Sequence, residues 1–123
     1  MQFDPIAPIW LQVMARLETE IVTGQAPPGS KLPGGRETAL RFGVNPNTVA
    51  RVYQELERAG LCETRRGLGT YVTADTERIG EARASLAREA AERYIRRLRE
   101  LGIDRAEAVK WILEEESRDA GKP

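Results

Sequence analysis

The chain has 123 residues, which is room for one domain with an appendage or for two very small ones. Its 19 basic residues balance 19 acidic ones, and a hydrophobic content of 41% is enough for a modest core. With no histidine and a single cysteine, Cys62, the commonest general base, an internal disulfide and a Cys/His metal site are all excluded, so no enzyme chemistry, cofactor or metal is expected.

No apolar run reaches the roughly 18 residues of a membrane span. The opening MQFDPIAPIW lacks the basic and apolar regions of a signal peptide, so a cytoplasmic protein with no membrane partner is expected.

In chain order, a first helix is predicted over residues 8–23, with Pro8 at its first position. Ile9, Val13, Leu17 and Ile21, four apart, form one apolar stripe, and Gly24 ends the helix. Residues 25–30 contain Pro27, Pro28 and Gly29 and read as a loop. A second helix is expected over residues 35–42, poorly capped at Gly34 and closed by Gly43. The third helix has a clear start in Asn45 as N-cap and Pro46 in the first turn, followed by Asn47 and Thr48. Val49, Val52, Tyr53 and Leu56 make its core face, and Gly60 stops it. Residues 61–65 and 70–73 read as short strands joined by Arg66-Gly67-Leu68-Gly69, whose glycines permit positive φ.

Beyond residue 75 the pattern changes. Residues 76–101 predict one long helix, about 39 Å at ~1.5 Å per residue. Ile79, Ala82, Leu86, Ala90, Tyr94 (or Ala87 and Ala91), Leu98 and Leu101 form a narrow apolar seam among charges. Gly102 breaks the helix, and Asp104 with Glu107 starts another as a capping box. Val109, Ile112 and Leu113 give the last helix its apolar side, with Trp111 alongside, and residues 117–123 are expected to fray. Such a hairpin leaves apolar surface open, which a second copy can close into a small bundle across a two-fold axis. The alternative is a monomer in which the hairpin caps its own domain. Cys62 reads as a buried structural thiol, Tyr94 and Trp111 as dimer core rather than an effector pocket, and Glu114, Glu115, Glu116 and Asp119 as a solvated face.

The expected fold is therefore mainly α with a small β-hairpin wing. It is a winged helix-turn-helix over residues 1–74, followed by a C-terminal two-helix dimerisation hairpin over residues 75–123. In that fold the second helix of the pair enters the DNA major groove and its N-terminal residues meet base edges. The zero net charge is no obstacle, because residues 31–73 carry seven basic and four acidic side chains. Only charges near phosphate displace counterions, so the local face decides affinity. Asn47 can bond adenine bidentately and Thr48 can touch phosphate or a thymine methyl; the bland reading is that both only satisfy first-turn N–H groups. Arg36 and Arg51 are candidates for phosphate or guanine, or else pair with Glu37 or Glu55; Arg41 and Arg58 are weaker candidates. Arg65, Arg66, Gly67 and Gly69 make a wing suited to the minor groove, where arginine meets negative potential and glycine allows close approach. The competing reading is a protein-interaction module built on a winged scaffold.

Leu32-Pro33, Arg36-Glu37, Ala39, Gly43-Val44, Asn47-Thr48-Val49, Leu56, Gly60-Leu61, Arg66-Gly67 and Gly69-Thr70, with Pro8-Ile9 and Gln12 upstream, resemble the DNA-binding domain of the GntR family of bacterial transcription regulators. The resemblance covers residues 8–73. The short C-terminal part, together with VNPNTV, is similar to the YtrA subfamily. That resemblance implies a homodimer that represses an operon, often one encoding an ABC transporter. It also implies that Arg36, Asn47, Thr48 and Gly69 contact double-stranded operator DNA. Two departures stand out. Gly34-Gly35 replaces the usual serine near the second helix start, and Ala50 stands where many members carry a basic residue that Arg51 would replace. No effector ligand is assigned.

Overall fold

The computed structural model describes Phe3 and residues 5–120. It packs as two compact units, Met1–Arg83 and Ala84–Pro123.

The first unit opens with α1 (Ile9–Val22), for which Pro8 is the N-cap residue rather than the first helical one. Burial along α1 begins at Val13 and continues through Leu17, Ile21 and Val22, whereas Ile9 is 49% exposed. The predicted stripe is thus one turn shorter, because the first turn lies at the edge of the core. Next come α2 (Gly35–Phe42) and α3 (Pro46–Arg58), joined by a tight turn whose Gly43 is left-handed at φ 68°. Gly34 gives α2 no side-chain cap, as its chemistry dictates. In contrast, the Asn45 Oδ1 accepts the Asn47 N–H at 2.8 Å and satisfies one of the free donors at the start of α3. Both α1 and α2 pack on α3, and Val13, Ile21, Val49, Val52, Leu56, Leu61 and Val72 are fully buried. Burying each such side chain stabilises the fold by about 1.5–3 kcal/mol before entropy is counted.

Tyr53 departs from the expected pure core role. It is half-buried, and its hydroxyl donates to the Pro33 carbonyl at 2.7 Å and bonds the Thr38 hydroxyl at 2.7 Å. This chain of bonds ties α3 to α2 and to the segment before it. Burial pushes the Tyr53 phenol above its ordinary pKa, with the Thr38 bond acting in the opposite direction. A second tie joins α1 to α2. Glu20, 9% exposed, accepts from both Arg41 (2.9 Å to one carboxylate oxygen) and Arg16 (3.2 Å). The Arg41 guanidinium, outweighing desolvation, holds the Glu20 carboxyl below its usual range.

The strands β1 (Cys62–Arg65) and β2 (Gly69–Val72) pair antiparallel, from Cys62 opposite Val72 to Arg65 opposite Gly69. On the other edge of β2, Lys31 bridges Tyr71, the Leu32 N–H donates to the Thr70 carbonyl and the Val72 N–H donates to the Ser30 carbonyl, both at 2.8 Å. The stretch around Lys31, in which the sequence pattern showed no strand, therefore lines the wing. Cys62 is buried, and burial together with the Glu57 charge pushes its thiol up to about 12, as suits a structural cysteine.

The helix α4 (Thr76–Glu100) starts inside this unit. Asp75 Oδ1 accepts the Arg78 N–H at 3.0 Å, Ile79 is buried, and the Arg78 guanidinium donates to the carbonyl of Ala59, the C-cap residue of α3.

The second unit holds the rest of α4 and α5 (Arg105–Ala120). Asp104 Oδ1 accepts the Glu107 N–H at 3.0 Å, which is the expected helix start. Ala108 is buried and its carbonyl accepts from the Tyr94 hydroxyl at 3.4 Å. Little else is covered: Leu101, Val109, Ile112 and Leu113 are each about half exposed. The fraying expected from residue 117 is not seen through Ala120, where an Arg118–Glu115 pair at 3.2 Å supports the last turns; residues 121–123 lie outside the described ones.

Candidate nucleic-acid interface

The tight α2–α3 turn fixes what α3 can present. Its core face is spent on Val49, Val52 and Leu56, so its opposite side is open. Asn47 is exposed at the second position of α3, and Thr48, beside it, is half-buried. The Asn45 cap supports the Asn47 backbone and leaves the Asn47 carboxamide available. Arg51 lies four residues beyond Asn47 and three beyond Thr48, so the three share one side of the helix.

Arg36 is exposed in the first turn of α2 and borders an apolar groove lined by Ala39, Leu40, Gly43, Val44 and Pro46. That groove runs from Arg36 to the first residue of α3, so the structure brings Arg36 to the same end of the pair as Asn47. Neither Arg36 nor Arg51 has an ion pair among the described residues. Glu55, the expected rival for Arg51, is taken by Arg58 at 2.9 Å, and Arg51 instead lies over the Trp10 ring, 4.1 Å from its centroid. Arg41 is likewise spent, on Glu20.

The wing carries two kinds of cation. Arg65 is bound to Glu63 at 2.8 Å and stacked 4.0 Å above the Tyr71 ring, so part of its charge is already answered. Arg66 is exposed at the start of the turn with no ion pair among the described residues. The wing is tied to α3 by the Thr64 hydroxyl, which donates to Glu57 at 2.7 Å.

Gly67 and Gly69 have φ of 77° and 126°, values that L side chains rarely adopt. At Gly69 a Cβ would also meet Lys31 Cε at 2.8 Å. The lysine end can swing away, so the backbone angle is the firmer constraint. Gly69 therefore shapes the hairpin and seats Lys31 against it. Lys31 is the cation that reading along the sequence missed. Its place beside the wing depends on pairing with Tyr71, forty residues on, and no local pattern announces it.

Among the described residues there is no cluster of His, Cys, Asp or Glu that could hold a metal ion, and no helix is long and apolar enough to cross a membrane.

Comparison with known proteins agrees with this geometry. Residues 10–72 match the GntR family of bacterial regulatory proteins. The HTH-type transcriptional regulator YhcF of Bacillus subtilis is 40% identical over 90% of this chain and 92% of its own. The HTH-type transcriptional repressor YtrA of the same organism is 34% identical over 93% of this chain and 90% of its own. The solved structure of a GntR family regulator from Listeria monocytogenes superposes with a TM-score of 0.85 at 38% identity, covering 91% of this chain and 98% of that one. With an intact helix-turn-helix, a wing and a two-helix C-terminal hairpin, the chain belongs to the GntR family of DNA-binding transcription regulators, in the short subfamily that includes YtrA.

Proposed function

We propose that this regulator is a cytoplasmic homodimeric repressor that binds a palindromic operator and has no enzymatic activity. Residues 1–74 read DNA, and residues 75–123 hold two copies together. Arg36, Asn47 and Thr48 read base edges, Arg51, Arg65 and Arg66 lie on phosphates, and Gly67 and Gly69 let the wing enter the minor groove. Repression follows by occupancy, because two bound half-sites about 34 Å apart exclude other proteins from the promoter. For the controlled operon, the resemblance to the YtrA subfamily points to one encoding an ABC transporter.

The observation that carries the reading is the open side of α3, where Asn47, Thr48 and Arg51 stand together while the acids nearby are spent on other partners. Repression draws further support from YtrA, itself named a repressor. Dimerisation draws support from the open apolar side of α5.

The test is a mobility shift on DNA from just upstream of the protein's own gene, against an unrelated fragment as competitor. A specific complex at nanomolar protein, weakening steeply as salt rises, is the expected result. No complex even at low salt would contradict it and favour the interaction module.

A further inference from the structure

Trp10 sits in the first turn of α1, half-buried, with the Arg51 guanidinium 4.1 Å from its ring centroid. Arg41 and Arg65 also lie over aromatic rings, but each of them, like Arg58, is held by a carboxylate as well, whereas among the described residues Arg51 is held by its ring alone. Glu20 occupies the N–H donors of Arg41, Glu55 those of Arg58, and Glu63 those of Arg65. An indole takes only one face of the guanidinium plane. Among the described residues no carboxylate answers the positive charge, and the edge N–H fork, which matches phosphate geometry, stays open. The stack also removes rotamer freedom from a long side chain before any ligand arrives, which lowers the cost of binding. Arg51 shares its side of α3 with Asn47 and Thr48, so what is held in place lies where DNA is read.

We infer that Trp10 is a positioning residue for DNA binding. It pre-sets the Arg51 guanidinium for a backbone phosphate and makes α1 part of the interface. This rests on the reading above, in which Arg51 meets phosphate.

The test compares wild type, R51A, W10F, W10L and the W10L/R51A double variant, by anisotropy of a labelled operator duplex over a salt series. Leucine keeps the apolar bulk of Trp10 without a ring face, and phenylalanine keeps the ring, so packing and stacking are separated. Thermal unfolding of each variant confirms the fold. R51A is expected to flatten the slope of log affinity against log salt by about 1.8, roughly 0.9 for each of the dimer's two copies. W10L is expected to weaken binding about two- to fivefold for each of the dimer's two copies, with W10F close to wild type and W10L/R51A no weaker than R51A alone.

W10L binding like wild type, or an undiminished W10L loss in the R51A background, overturns the inference and leaves the proposed function standing. R51A with an unchanged slope overturns it as well. A wild type that forms no specific complex removes the proposed function, and this inference with it.

Discussion

The two units use the same ingredients to opposite effect. In the first, three helices and a hairpin close on a core whose Val13, Val49, Val52, Leu56 and Val72 are fully buried. In the second, two helices bury Ala108 and leave Leu101, Val109, Trp111, Ile112 and Leu113 about half exposed. Both have amphipathic helices and sound helix starts, at Asn45 and at Asp104. The difference is that the main apolar faces of α1 and α3 find partners within the first unit, although Leu40 there is 85% exposed. Helix formation is a local matter, whereas covering an apolar face takes a second surface. The second unit is where the proposed second copy would pack.

Substitutions test this contrast. Leu56→Ala, in the closed core, should cost about 2–5 kcal/mol of stability, read by chemical or thermal denaturation. Leu113→Ala should change the stability of the first unit by less than about 0.5 kcal/mol while weakening self-association in sedimentation. Equal losses of stability from the two changes would erase the distinction between the units. Arg36→Ala should leave the fold intact and cost about 1–3 kcal/mol of operator binding, and an unchanged affinity would remove it from the reading surface.

Glu20→Gln tests the tie between α1 and α2. It should cost about 1–2 kcal/mol near neutral pH, toward the lower figure because the Arg41 side chain is 45% exposed. The Glu20 carboxyl titrates below its ordinary value of 4.5 when folded, so its contribution is complete above that pH. It is lost as pH falls through the folded value. The gap between wild type and Glu20→Gln should therefore close in acid, and a gap that persists there would assign the effect to shape rather than charge. The smallest change is Asn45→Ala, which removes the α3 cap for about 1 kcal/mol. Its readout is the melting temperature, and no shift would mean that water replaces the carboxamide without loss.

Much of the fold is legible in the residues because its rules are local. Asn45-Pro46 marks the start of α3, Gly43 the turn before it, and Gly67 and Gly69 the hairpin. These positions limit backbone angles or satisfy backbone donors within a few residues of themselves. What escapes is pairing across the chain. Nothing near Glu20 indicates Arg41, nothing near Trp10 indicates Arg51, and nothing near Lys31 indicates Gly69. The same limit explains Tyr53, whose apolar spacing suggests a plain core residue while its hydroxyl serves Pro33 and Thr38. Candidate contacts such as Asn47 stand out by position at a helix start, but which arginines remain free depends on where the carboxylates fall.

In the proposed arrangement, a complete reading unit is joined to a hairpin completed by a second copy. Native mass measurement of the protein alone, and then with its operator duplex, tests this most directly. A dimer in free solution and two chains on each duplex are the expected result. A monomer that binds DNA singly would contradict it.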